Sequence, residues 1–529
     1  MESILNPYNQ ISYPGYPFVQ THPDRLATLA HLYGMTPAPV EHCRVLELGC
    51  GDGGNLIPMA WQLSGSEFWG IDLASSAIEN GRRQIAELEL SNIRLEVLDL
   101  MGFPLASGPF DYVLAHGLFS WVPPAAQEKI MEIIGNCLAP EGVAYISYNT
   151  LPGGHLRLML REMMQYHIRT MESPEEQISG GKALIRFLAD ATAHSSIQND
   201  YSEVLREEWE KRMSICSSAS LYHDELGEHN HHFYFHEFMA HAKPHGLQFL
   251  AEADFPAMQV GNFMPEVGEL LKELEDDIVT REQYLDFLKG RRFRQTLLCR
   301  ETILLERNIP GERVASLLVA SKAHPSGPLG ELSGNTPVEF CGPHNSSINT
   351  AHPLIKSALL CLAEHWPLPL SFKTLRELAQ QRLGASSATT CFDSPEDRTA
   401  MLTTFFLCYG AGLLNFHAWA PRLTLKAGPR PLASPLARLQ IRQGSHVTTL
   451  CHERVEIDGA LAKIFIQLLD GTRDRPMILK ALEEAVLTGK AAMLDNDKPV
   501  SNVDRLRFLL AEGLEVRLEH LARMGLLLS

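Results

Sequence analysis

The stretch Val45-Leu-Glu-Leu-Gly-Cys-Gly-Asp-Gly-Gly-Asn55 sets Gly49, Gly51 and Gly54 at the spacing G-x-G-x-x-G. Lacking a β-carbon, such glycines let an adenosine-bearing ligand lie against the backbone at the tip of a first strand. In a nicotinamide site an aliphatic strand runs into the glycines, and one acid about 20 residues on takes the ribose. Here the strand itself carries Glu47, just ahead of the first glycine. A carboxylate at that point would repel a pyrophosphate and attract a cation. The ligand it suits is a nucleoside with a positive end and no phosphate, which describes S-adenosylmethionine.

The other acids fall in order along the chain. Asp72, in "WGIDL", follows Gly51 by 21 residues and can accept both ribose hydroxyls. Asp99, in "LEVLDL", can face the adenine amino group, with Leu100 beside it. Cys50 in the turn and Leu73 after Asp72 complete the expected cofactor contacts.

Elements that could position these acids are visible around them. From Arg44 to Tyr148 apolar runs alternate with helical stretches, the pattern of parallel βαβ units. "RVLELG", "EFWGIDL", "IRLEVLDL", "FDYVLAHG" and "GVAYISYN" read as five strands, and Ser76-x-x-Glu79 as a capping box between the second and third. The predicted fold class is α/β, a Rossmann-like sheet with a helical insertion and C-terminal, mostly helical, winged-helix-like modules. The expected division is an arm at 1–43, a core at 44–152, an insertion at 153–230 and late strands completing the sheet at 231–306. A linker at 307–350 and helical modules at 351–425 and 436–529 follow. A separate helical domain over 150–305 is the alternative.

With these motifs in place, the sequence resembles the class I S-adenosylmethionine-dependent methyltransferases over residues 40–150. More narrowly, "HGLFSWVP", "SYNTLPGG", "YHDEL", "YFHEFMAHA" and "EQYLDFLKGRRFRQTLLCR" resemble the bacterial methyltransferases carrying a methyltransferase regulatory domain. That group includes rickettsial protein lysine methyltransferases. The resemblance implies that Glu47, Gly49, Gly51 and Asn55 take the methionine end, Asp72 the ribose, and Asp99 with Leu100 the adenine. It also puts His116, after the fourth strand, close to the sulfonium. The arm ahead of the first strand, with Tyr13, Tyr16, Thr21 and His22, could fold over the cofactor or simply staple itself to the core.

Methyl transfer from a sulfonium is an in-line displacement, so the enzyme supplies alignment and a deprotonated nucleophile. A free lysine costs about 4.6 kcal/mol to neutralise at pH 7, which calls for a base or a desolvating pocket. The expected catalytic residues are His116, Tyr148, His223 and Asp224, near the carboxyl ends of strands four and five, where open α/β sheets bind ligands. Plainer roles stay open: packing for His116, core for Tyr148, helix capping for His223 and Asp224. The loop "HGLFSWVPP" lacks the Pro-Pro-aromatic pattern of nucleic-acid amino methylation, and Cys137 comes too late for a cytosine C5 nucleophile.

Composition narrows the partners. With 46 basic and 63 acidic residues the net charge is −17, which disfavours nucleic acid and favours a basic or neutral partner. The ten cysteines show no C-x-x-C, so no metal is expected. The histidines between His223 and His245 include "HEFMAH", whose spacing is not that of H-E-x-x-H. No signal peptide or membrane span is read, and a soluble, cytoplasmic protein is expected. The leading expectation is a methyltransferase acting on a protein at lysine. A small-molecule methyltransferase, whose modules form a lid or homodimer interface, and a cofactor-binding regulator or scaffold remain as alternatives.

Overall fold

The computed structural model describes residues 10–11, 13–193, 200–261, 263–274, 277–329, 331–384, 394–495, 498–500 and 502–529. Its centre is one mixed sheet. Five parallel strands, β1 (Arg44–Leu48), β2 (Glu67–Asp72), β3 (Ile93–Val97), β4 (Phe110–Ala115) and β5 (Leu138–Thr150), are followed by β6 (His232–Phe233), β7 (Leu247–Glu252) and β8 (Phe293–Arg300). The order is β3-β2-β1-β4-β5-β8-β7; β8 runs antiparallel to both neighbours, and the short β6 pairs parallel with β5.

The strand order reverses between β1 and β4, so the loop after β1 lies at the topological switch point, where this architecture opens a crevice for ligands. β1 and β4 are buried along almost their whole length, as strands covered by helices on both faces must be. Only a chain of apolar side chains survives there without cost. Glu47 is therefore the informative exception in β1.

The insertion between β5 and β6 is helical, with His155–Ile168, Pro174–Ala193 and Asp200–Glu208 packed around Leu160, Met164, Ile185 and Leu205. It ends in a π-helical turn, Leu221–Glu225. Residues 307–350, for which the sequence predicts a linker, carry strands of their own. Leu318–Ala320 pairs with Leu370–Ser371 and Asn415–His417, and Val319 is fully buried. The Gly, Pro and Ser content there reflects tight turns between short strands. Helices Pro353–His365, Phe372–Arg382 and Pro395–Gly410 complete that module and share one core with the sheet.

The last module has its own core, built by helices Pro435–Gln443, Ala460–Leu468, Arg475–Leu487 and Val503–Arg523 with the hairpin His446–Thr448/Arg454–Glu456. This is a winged-helix arrangement. Among the described residues no helix is long and apolar enough to cross a membrane.

One polar cluster lies inside the sheet region. Arg294 on β8 is fully buried and bonds Glu252 on β7 at 2.5 Å, Asp286 at 2.9 Å and Glu282 at 3.1 Å, with its guanidinium 3.9 Å from the Phe235 ring centroid. Removing the cation would leave Glu252 buried without a cation and strip Asp286 and Glu282 of one of their two, the others being Arg291 and Arg281, each at 3.1 Å. Arg294→Met is expected to cost about 3–5 kcal/mol, read as a large fall in melting temperature. A melting temperature within a degree or two of the parent's would show that the cluster contributes little.

Candidate active site

β1 delivers Glu47 to the switch point with only 4% of its surface exposed. Its Oε1 accepts from Asn55 Nδ2 at 2.8 Å, and its Oε2 has no partner. Burial pushes its pKa up to about 8. Asn55 is held from several sides, since its Oδ1 accepts the Phe18 backbone N–H at 3.0 Å and its Nδ2 lies 2.9 Å from Thr21 Oγ1. The loop between them turns through left-handed Gly49 and Gly51. A β-carbon on Gly51 would meet nothing within 4 Å, so the space beside it is open.

Asp72, at the end of β2, is fixed against that loop. Its Oδ2 accepts from Gly51 N at 2.9 Å and its Oδ1 from Ala74 N at 2.7 Å. The Cys50 thiol packs beneath, so close that a β-carbon on Gly70 would fall 2.7 Å from its sulfur. Leu73 is 56% exposed beside Asp72. Asp99 is exposed and caps the short turn Leu100–Gly102 through a 2.9 Å bond from Met101 N, with Leu100 half-buried. Glu47 near the end of β1, Asp72 at the end of β2 and Asp99 just after β3 thus line one carboxyl edge. An unpartnered buried carboxylate oxygen at one end, an open glycine turn in the middle and exposed apolar and acidic groups at the other suit a cationic, phosphate-free adenosine ligand.

The N-terminal arm lies across this edge. A β-carbon on Gly54 would fall 2.4 Å from the Gly15 carbonyl carbon, so both glycines are needed where the two backbones cross. Phe18 packs against His116, ring centroids 3.7 Å apart and planes tilted by 33°, and His22 caps the helix Pro23–Leu32 by accepting from Asp24 N. Tyr16 packs against the C-terminal hairpin, under Arg454 at 3.6 Å.

The four residues expected to do chemistry separate sharply. Tyr148 is fully buried on β5, stacked on Phe238 at 4.0 Å and bonded to Thr296 Oγ1 at 3.1 Å. It is a core residue, and the catalytic expectation for it is corrected. β5 is buried on both faces, and sequence alternation could not tell which of its residues face a site. His223 is buried too, with its Nε2 2.7 Å from the Ile11 carbonyl oxygen, so it ties down the start of the arm. His116 follows β4, its Nδ1 2.9 Å from the Tyr145 hydroxyl. Burial lowers its pKa to about 4, leaving a neutral, weakly basic ring.

Asp224 is different. Its Oδ2 accepts from the Tyr13 hydroxyl at 3.2 Å. Its carbonyl accepts from Asn230 at 2.7 Å and from Trp121 in the loop after β4 at 3.3 Å. Asn230 in turn receives Asn149, near the end of β5, at 2.9 Å. The π-helical turn that carries Asp224 is clamped at Glu225 by Arg157, Arg161 and Arg212. Burial, then the neighbouring Glu225 charge, pushes the Asp224 pKa up to about 7. Trp121 falls within the stretch "HGLFSWVP" that carries the resemblance, though nothing there gives it a role of its own, and Asn230 has no signal in the sequence that would have singled it out.

The histidines downstream are occupied elsewhere. His241 and His245 both bond Glu128, at 2.7 and 2.8 Å, and His236 bonds Gln283 at 2.9 Å. Among the described residues no group of three or more His, Cys, Asp or Glu is placed to hold a metal.

The sheet order, the left-handed glycine loop after β1 and the acids at or near the ends of β1, β2 and β3 together define a class I S-adenosylmethionine-dependent methyltransferase. Comparison with known proteins agrees. The profile of a methyltransferase domain matches residues 45–142, that of a predicted methyltransferase regulatory domain 217–300, and that of the PKMT C-terminal winged helix domain 429–526. The chain is 32% identical over 511 residues to RP789, an uncharacterized protein of Rickettsia prowazekii, covering 95% of this chain and 90% of that one. PKMT2 of Rickettsia typhi superposes with a TM-score of 0.87 at 28% identity, covering 98% of this chain and all of that one, and its complex with AdoHcy with 0.86. A Streptomyces aklanonic acid methyltransferase, DauC, is 41% identical over 91 residues, 16% of this chain and 40% of its own length. The chain belongs to the family of RP789, and it joins a methyltransferase domain to a methyltransferase regulatory domain and a PKMT winged-helix domain.

Proposed function

We propose that the protein methylates the side-chain amine of lysine in a protein substrate, with Asp224 as proton acceptor. The observation that carries this reading is Asp224 itself, whose half-buried carboxylate, its pKa pushed up to about 7, takes the Tyr13 hydroxyl while Trp121 and Asn230 hold its main-chain carbonyl beside the carboxyl edge of β4 and β5. A general acid–base group works best with a pKa near the operating pH. The net charge of −17 suits a lysine-bearing polypeptide. The full-length likeness is to PKMT2 of Rickettsia typhi, and the group that the sequence resembles includes rickettsial protein lysine methyltransferases, whereas the likeness to DauC is confined to 16% of the chain.

S-adenosylmethionine supplies, when bound, a methyl group on a positively charged sulfur. Glu47 and Asn55 would hold its methionine end, Asp72 its ribose, and Asp99, Leu73 and Leu100 its adenine. The arm, through Gly15 and Phe18, shields the glycine loop from water. Neutral His116 presents a ring face without a competing charge. Asp224 accepts the proton from the substrate Nζ, and the Tyr13 hydroxyl orients the receiving carboxylate.

Radiolabelled methyl transfer into a cell lysate tests the reading. Label should appear in a discrete protein band and map to lysine. Label in an extractable small molecule would favour the DauC-like alternative, and label in neither would favour a cofactor-binding regulator.

A further inference from the structure

Asn55 receives one partner from the far end of the chain. The turn between the two strands of the C-terminal hairpin places His452 Nε2 3.0 Å from Asn55 Oδ1, across 397 positions of sequence. Asn55 Oδ1 also takes the Phe18 backbone N–H, so it is the carbonyl side of the amide and His452 Nε2–H is the donor. His452 is 2% exposed, and its backbone sits at φ +58, a left-handed conformation that a non-glycine residue adopts at a cost. Three hydrogen bonds within the turn hold it there: His452 N to Thr449 O at 3.0 Å, Cys451 N to Thr449 Oγ1 at 3.2 Å and Glu453 N to the same hydroxyl at 3.1 Å.

The surroundings of this contact are unfinished. His452 Nδ1, His22 Nε2 and Glu47 Oε2 are each buried without a hydrogen-bond partner, in one cluster around Asn55. His22 Nδ1 accepts from Asp24 N, so its Nε2 carries the hydrogen and is a free donor. His452, donating through Nε2, keeps a bare acceptor at Nδ1. Two acceptors and one donor left without partners are the complement of an amino-acid end bearing an ammonium and a carboxylate.

We infer that the winged-helix domain is part of the cofactor site, with His452 a positioning residue that fixes the Asn55 amide for the methionine end. Docking of that domain and uptake of the cofactor are then linked, each favouring the other to the same degree. This inference rests on assigning the methionine end to Glu47 and Asn55.

Calorimetric titration of the full chain with AdoHcy tests it. His452→Asn tolerates the left-handed backbone but is too short to reach Asn55. It should weaken binding about tenfold and raise KM for S-adenosylmethionine by a similar factor, with kcat within twofold. His452→Gln keeps a reaching N–H donor and should bind within twofold of the parent. Arg523→Ala, which breaks a surface ion pair to Glu519 within the winged-helix domain, should leave binding unchanged. If His452→Asn binds like the parent, or His452→Gln is as weak as His452→Asn, the inference fails. If Asn55→Ala itself binds AdoHcy normally, the assignment of the methionine end fails, and this inference with it.

Discussion

Glu47→Gln should weaken binding of S-adenosylmethionine and AdoHcy about a hundredfold while leaving the fold intact. The amide keeps the shape of the side chain and an oxygen for Asn55, so the loss falls on the charged hydrogen bond to the ligand's amino group, worth about 2–3 kcal/mol. The sign of the pH dependence follows from the pKa of about 8 that burial gives Glu47. Below that value the free protein holds the carboxyl protonated, and binding an ammonium must expel the proton. Parent affinity should therefore rise about tenfold per unit from pH 6 towards 8 and then level off, with close to one proton released per ligand. Glu47→Gln should show a flat profile and no release from this group. Its melting temperature without ligand should be no lower than the parent's. A carboxyl whose folded pKa stands above its unfolded value stabilises the fold fully at low pH, and this contribution is lost as pH rises through about 8. Calorimetry in two buffers of different ionisation enthalpy checks both points. An unchanged dissociation constant would remove Glu47 from the site.

What could be read from the chain and what could not follows from how far each signal reaches. Glu47, Asp72 and Asp99 were legible because strand periodicity fixes where β1, β2 and β3 end, and each acid stands at or near such an end. Tyr148 was misread at the same level of argument. Composition reveals that β5 is buried but not which side chains of a doubly covered strand meet a ligand. His452 had no local signal at all. Its role is set by a domain docking across 397 positions, and nothing in "TTLCHERVE" distinguishes it from a hairpin histidine on a surface. Asp224 was visible as one of two neighbours in "YHDEL", but only the fold separates them, turning His223 towards the Ile11 carbonyl and Asp224 towards Tyr13.

That separation carries the second large effect. Asp224→Asn should lower kcat by about a hundredfold to a thousandfold, with AdoHcy binding unchanged, because it removes a proton acceptor and nothing that holds the cofactor. Moving a proton from lysine, near 10.4, to a carboxyl at about 7 is uphill by about 3.4 units, or about 4.6 kcal/mol. To an ordinary aspartate near 3.9 the climb is about 6.5 units, so burial makes Asp224 the stronger base by roughly a thousandfold in equilibrium. Activity needs the ionised form. The parent's kcat/KM should thus rise with pH through about 7, and the limb should vanish in Asp224→Asn. Tyr13→Phe gives a subtler reading. The Tyr13 hydroxyl stabilises the carboxylate and holds its pKa down against burial and Glu225, so its removal should move the limb to higher pH rather than abolish it. Folding cannot imitate these results. With a raised folded pKa, the Asp224 contribution to stability is complete below about pH 4 and is lost as pH rises through about 7, so the neutral amide should melt no lower than the parent at pH 8. An Asp224→Asn enzyme that keeps both the parent kcat and the rising limb would mean that the lysine reaches the sulfonium already neutral, desolvated by the pocket rather than deprotonated by this carboxylate.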